Sequence, residues 1–250
     1  MRRPARRRTP ELKPTGISAK MVMVMATVNE HGRLIAAAAK AALAPLGCRR
    51  SGQSRAWISD ERYWVLTVYF EPSGWQKGSY LQIGVTWLWF PSPARVLNVN
   101  YRVPPFVAFE NVGQFQPLVE AMAANAAQEV VAVRERFRSL NLVYRYLMDA
   151  VPENTGWPVY NAAVAAGLVG DIDGARRLFG RIATWPTDGY DWQASLKAQS
   201  SEISAALDDA DAFRATVYDI ISLNRRCRGL PPDPECLQAT YPKAAPAPYR

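Results

Sequence analysis

"YWVLTVYFEPSGWQKGSYLQIGVTWLWF" (Tyr63–Phe90) places nine of the chain's 27 aromatic residues in 28 positions. Its period is two. Trp64, Leu66, Val68 and Phe70 share one parity, and Tyr63, Val65, Thr67 and Tyr69 share the other, as a strand over Tyr63–Glu71 requires. The stretch Pro72–Gly78 (PSGWQKG) is built from turn formers. Alternation resumes over Ser79–Phe90, with Leu81, Ile83, Val85, Trp87 and Trp89 on one side. Gly84, on the other side, marks a bulge or a close approach of backbone. Strands joined by so short a turn run antiparallel.

Working outward, Arg55–Ser59 reads as a short preceding strand and Asp60–Arg62 as its turn. Arg95–Tyr101 reads as a fourth strand, ended by Pro104–Pro105. Both faces of the Tyr63–Glu71 strand are largely apolar. One face is expected to meet helices, and the other to be covered or to form a shallow aromatic surface.

Helices flank this meander. Asn29–Gly47 carries Leu34, Ile35, Ala38, Ala42 and Leu43 on one stripe, with Asn29 as a cap and Pro45 and Gly47 as stops. Gln114–Met148 has helical spacing through Leu118, Met122, Ala126, Val130, Val133 and Phe137, with a break near Asn141. Its mixed run of Glu129, Arg134, Glu135, Arg136 and Arg138 reads as a solvated face. Trp157–Ala166 and Ile172–Ile182 form a pair of small-residue helices, the second capped by Asp171, similar to a single tetratricopeptide-type hairpin without a repeat register. Asp191–Leu207 and Asp209–Cys227 are the last helices. The expected fold is α+β: a small antiparallel sheet of three to four strands packed on helices, with a predominantly helical second half. The expected organisation is a basic arm (1–28), a helix plus sheet (29–110), a helical region (111–228) and an irregular tail (229–250).

Formal charge is +8, but residues 1–20 hold seven basic residues and one acid, which is +6, leaving +2 for the rest. The body is nearly neutral, which argues against a broad nucleic-acid face. The Arg- and Pro-rich start reads as a disordered arm suited to nonspecific polyanion contact. The apolar run Met21–Val28 is short for a signal core, and Met21, Met23 and Met25 offer alternative starts. No run approaches a membrane span, so no membrane contact is expected. Cys48, Cys227 and Cys236 form no disulfide framework: Cys227 and Cys236 are close enough in sequence to pair, leaving Cys48 odd, but free thiols in a reducing, cytoplasmic setting are the expectation.

Chemistry is sparse. His31 is the only histidine, and beside Gly32 at the start of the expected helix it reads as a local cap or surface group. No metal or cofactor is expected: the spacings of zinc sites, nucleophile elbows and phosphate loops are missing. Cys48 reads as a buried structural thiol, and Asp171, Asp173, Asp208, Asp209 and Asp211 as helix caps and first-turn acids. The candidate partner- or ligand-binding residues are Arg49, Arg50, Arg55 and Trp57 around Gly52, with Trp75 and Lys77 in the next turn. Arginine supplies multidentate donors and tryptophan supplies stacking area.

The residues Leu46, Gly47, Arg50, Gly52, Trp57 and Gly84 carry a resemblance. Over Leu34–Val85 the chain resembles a large bacterial family of unknown function, with a first helix, a Leu-Gly-x-basic corner and an antiparallel meander. It departs in having Cys48 where phenylalanine is usual, and in lacking a glutamine near Val68–Phe70. The resemblance implies the fold and no activity. The leading expectation is a non-enzymatic protein-binding or accessory module that uses an aromatic and basic sheet rim. The alternatives are a nucleic-acid or phosphate-ligand binder using the Arg-rich arm and corner, and an enzyme without a recognisable motif. No feature speaks to oligomeric state.

Overall fold

The computed structural model describes residues 19–90, 96–151 and 156–237. Most of the basic arm, the start of the predicted fourth strand and the end of the tail lie outside the described residues. Helix α1 (Ala19–Leu43) begins at Ala19, ahead of the predicted Asn29, which therefore lies inside the helix and does not cap it. Methionine and alanine propagate a helix well, and no breaker separates them from the predicted stripe. The stop is as expected. Ala44–Leu46 form one 3-10 turn, and Gly47 takes a φ of 75°, a left-handed position that suits glycine.

Five strands follow in one antiparallel sheet, in sequential order: β1 (Arg49–Arg50), β2 (Ala56–Asp60), β3 (Trp64–Pro72), β4 (Gly78–Trp87) and β5 (Val99–Ala108). The fold is α+β, with five strands instead of three to four. The addition is the two-residue β1, too short to show a period. Pro104 and Pro105 do not end β5. They sit where the β4–β5 register shifts between Ser79 and Leu81, on an edge strand, where a missing N–H costs no ladder bond.

The helices are α2 (Val112–Arg136), α3 (Leu140–Ala150), α4 (Gly156–Val169), α5 (Ile172–Thr184), α6 (Asp191–Ser204) and α7 (Ala210–Cys227). Side-chain caps set several starts: Asn111 for α2, Ser139 for α3, Asp171 for α5 and Asp209 for α7. The break between α2 and α3 falls at Ser139, just before the predicted Asn141, because Ser139 accepts the Leu142 N–H. The α2 stripe runs through Phe115 and Val119; Leu118 is exposed. Arg134 leaves the solvated face. It donates to Glu61 Oε1 at 2.7 Å, to the Leu46 carbonyl at 2.9 Å and to Ser59 Oγ at 2.6 Å, clasping α2 to the corner after α1.

The even face of β3 pairs with the odd face of β4, which brings Trp64 opposite Trp87 and Phe70 opposite Leu81. Phe137 packs edge-on against Trp64 and Trp87, and Trp87 stacks on Trp89 at 5.3 Å. Trp89 Nε1 donates to Asn161 Oδ1 at 2.8 Å, and Tyr160 Oη donates to the Trp89 carbonyl at 3.0 Å. These bonds fasten the sheet to α4, whose residues Val159–Ala166 are all buried. On α7, Asn224 donates to the Leu88 and Phe90 carbonyls. One hydrophobic cluster therefore extends from Leu34 to Leu237. Among the described residues no helix is long and apolar enough to cross a membrane.

Candidate functional site

One end of the sheet gathers the Ser51–Arg55 loop, the β3–β4 turn and the exit of β5. The register places them there: the Arg55 carbonyl accepts from Phe70 N, Pro72 lies opposite Ser79, and the Lys77 carbonyl accepts from Phe109 N. This end holds most of the residues singled out from the sequence, but in different roles.

Trp75 is 99% exposed at the tip of the turn. The turn is organised by Ser73, whose Oγ accepts from the Trp75 and Gln76 N–H groups. Arg50 turns back on its own loop and donates to the Gln53 and Ser54 carbonyls, so it braces the hairpin. Arg49 is exposed on the edge strand. Trp57 is 6% exposed and belongs to the core; its ring is withdrawn from the candidate surface because it shares the face of Val68.

Arg55 and Lys77 do come together, around a residue that sequence reasoning placed elsewhere. His31 is neither a cap nor a surface group. It lies inside α1, 4% exposed, with its ring 5.2 Å from that of Phe109 and 4.8 Å from that of Phe115. Arg55 Nη2 faces His31 Nδ1 at 3.5 Å, and Lys77 Nζ sits over the Phe109 ring, 4.1 Å from its centre. Burial, then Arg55 and Lys77, lower the imidazole pKa to about 4, so the ring is neutral at physiological pH. No local signal marks this role, since the partners lie 24 residues away and beyond.

The outer face of the same end carries a second group. Tyr80 and Phe106 are 4.6 Å apart, the Arg102 guanidinium lies 4.3 Å over Tyr80, and Arg102 pairs with Glu71 at 2.8 Å. A Cβ at Gly78 would fall 2.4 Å from the Phe106 ring and 2.5 Å from the Val107 carbonyl oxygen, and because that backbone oxygen cannot give way, a glycine is needed. These side chains extend the aromatic rim from Trp75 along the sheet.

Elsewhere, a shallow apolar groove of 450 Å³ runs beside α2, lined by Pro45, Leu46, Ala127 and Val131 among others, and offers little polar chemistry. Cys48 is buried, and burial raises its thiol pKa. The three cysteines are free. Among the described residues no group of three or more His, Cys, Asp or Glu side chains is placed to hold a metal ion.

The neutral state of His31 has a consequence for stability. Its folded pKa lies below the unfolded value of 6.5, so its contribution is complete above pH 6.5 and is lost as pH falls towards about 4. Replacing His31 by phenylalanine should therefore flatten the fall in thermal midpoint across this window. The difference at its acid end is about 1–2 kcal/mol after allowance for solvent screening. Parallel melting curves of both proteins check this. Parallel slopes would contradict a buried neutral imidazole.

The chain matches no protein-family model, no curated protein and no solved structure. The likeness of Leu34–Val85 to a bacterial family gains no support from that comparison.

Proposed function

We propose that this protein is a non-enzymatic binding module that engages a protein partner through the hairpin end of its sheet. The observation that carries this reading is the full exposure of Trp75. A tryptophan on the tip of an organised turn contributes little to its own fold, while its area is large and its rotamer cost small at an interface. Tyr80, Phe106 and Arg102 supply the neighbouring aromatic and cationic surface, the composition typical of interface hot spots.

The test is a nuclease-treated pull-down from the native host with the full chain and its Trp75→Ala variant side by side. A protein partner retained by the parent should bind the variant about 30-fold more weakly, in line with a hot-spot tryptophan. The stability of the free variant should change by less than about 0.5 kcal/mol. Equal retention by both baits overturns the reading. So does a matching loss of thermal stability in the free variant, which would make Trp75 structural.

A further inference from the structure

We propose that His31 and Arg55, with Lys77 at the solvent side, form a site for the phosphate group of a small ligand. This inference stands apart from the partner surface and does not rest on it. It begins with two orphaned atoms: His31 Nε2 and Arg55 Nη1 are both buried and have no hydrogen-bond partner among the described residues. Arg55 Nη2 can only donate, so His31 Nδ1 is the acceptor and the imidazole proton resides on Nε2. Both orphans are therefore donors, in one cluster, and both call for an acceptor. A buried donor left unpaired is costly.

Charge defines the acceptor. The groups that act electrostatically on His31 are Arg55 and Lys77, both cationic. Among the described residues, the one ionisable neighbour acting on Arg55 is Tyr69, with no carboxylate. A half-buried guanidinium without an acidic partner among the described residues is the unusual feature, since buried charges are ordinarily paired. Of the acids at this end, Glu71 pairs with Arg102 and Glu30, next to His31 on α1, with Arg33, while Glu110 beside Phe109 is exposed to solvent. Lys77 is exposed, Arg55 half-buried and His31 buried, so donors run from solvent to interior. They come from α1, the β1–β2 loop and the β3–β4 turn, three directions that suit a tetrahedral oxyanion better than a planar carboxylate.

His31 is the chain's single histidine, so its imidazole gives one unambiguous NMR resonance in untagged full-length protein. The experiment titrates that resonance with inorganic phosphate at constant ionic strength, with phenyl phosphate in a parallel arm. A saturable shift in the range of about 1 mM or tighter is expected. Bound phosphate should also raise the His31 pKa from about 4, because an adjacent anion favours the imidazolium. Arg55→Met should weaken binding about tenfold or more, whereas the exposed Arg138→Met should not change it. If Arg55→Met does not fold, Arg55→Lys keeps the charge, loses the guanidinium donors and should still weaken binding. Comparable affinity in the two arms identifies free phosphate as the ligand; tighter phenyl phosphate binding identifies a phosphate ester. The proposal is overturned if neither arm shifts the resonance saturably, as expected were ordered water the acceptor. A shift that survives unchanged in the folded Arg55 variant also overturns it.

Discussion

Arg225→Met should destabilise the protein by about 3–5 kcal/mol, the usual cost of removing one partner from a buried ion pair. Arg225 is 3% exposed and grips Asp60 through two bonds of 2.8 and 2.7 Å. The same guanidinium donates to the carbonyls of Pro231 and Arg62. Its loss leaves the Pro231 and Arg62 carbonyls without this donor and Asp60, among the described residues, with only the Arg62 N–H, at 3.2 Å. Urea denaturation followed by tryptophan fluorescence should show a lower midpoint with an unchanged slope. A second readout is chemical. Arg62 holds Asp233 at 3.0 Å in the same network, and Cys236 lies buried beside it, its thiol pKa pushed up to about 11, chiefly by burial. In the parent, a thiol reagent should react readily with the exposed Cys227 alone; in the variant Cys236 should join it. A loss under about 1 kcal/mol would mean that the pair behaves as a surface salt bridge.

Trp89→Ala should cost a comparable amount, about 3–5 kcal/mol for the cavity alone. The ring is fully buried, stacks on Trp87 and, at 5.9 Å, on Tyr63, and is anchored through Asn161. Asn161, 3% exposed, loses the Trp89 indole as a donor to its Oδ1, which adds to the penalty. Trp89→Phe retains much of the ring and isolates the hydrogen bond, at about 1–3 kcal/mol. Because Trp89 joins the sheet to α4, circular dichroism and fluorescence should report one coincident transition in the parent. Two separated transitions would show that the sheet and the helices fold independently, against the continuous core.

Some of this architecture is local in origin and could be read along the chain. The period of two over Tyr63–Phe90, the turn residues between its halves and the capping aspartates at 171 and 209 each act within a few neighbours. The meander, its antiparallel sense and the core position of most of its aromatics follow from them. The failures were also physical. Asn29 carries a local capping signal, but the methionine-rich run before it propagates the helix, so α1 starts at Ala19. Pro104 and Pro105 are a stop signal locally, yet β5 tolerates them because it lies at an edge, a property of the whole sheet.

The candidate site divides in the same way. Trp75 was legible as an exposed turn residue, since its surroundings are its own turn. The roles of His31, Arg55, Arg134 and Arg225 were not, because each depends on a partner brought near only by folding. His31 meets Arg55 across 24 positions, Arg134 meets Glu61 across 73, and Arg225 meets Asp60 across 165. Hydrophobic periodicity reports which face of an element is buried, and so determines the strands, helices and core. It carries no information about which charged or polar side chains share that interior. That pairing is decided by the tertiary structure, through the low dielectric and close packing that make an unmatched donor costly.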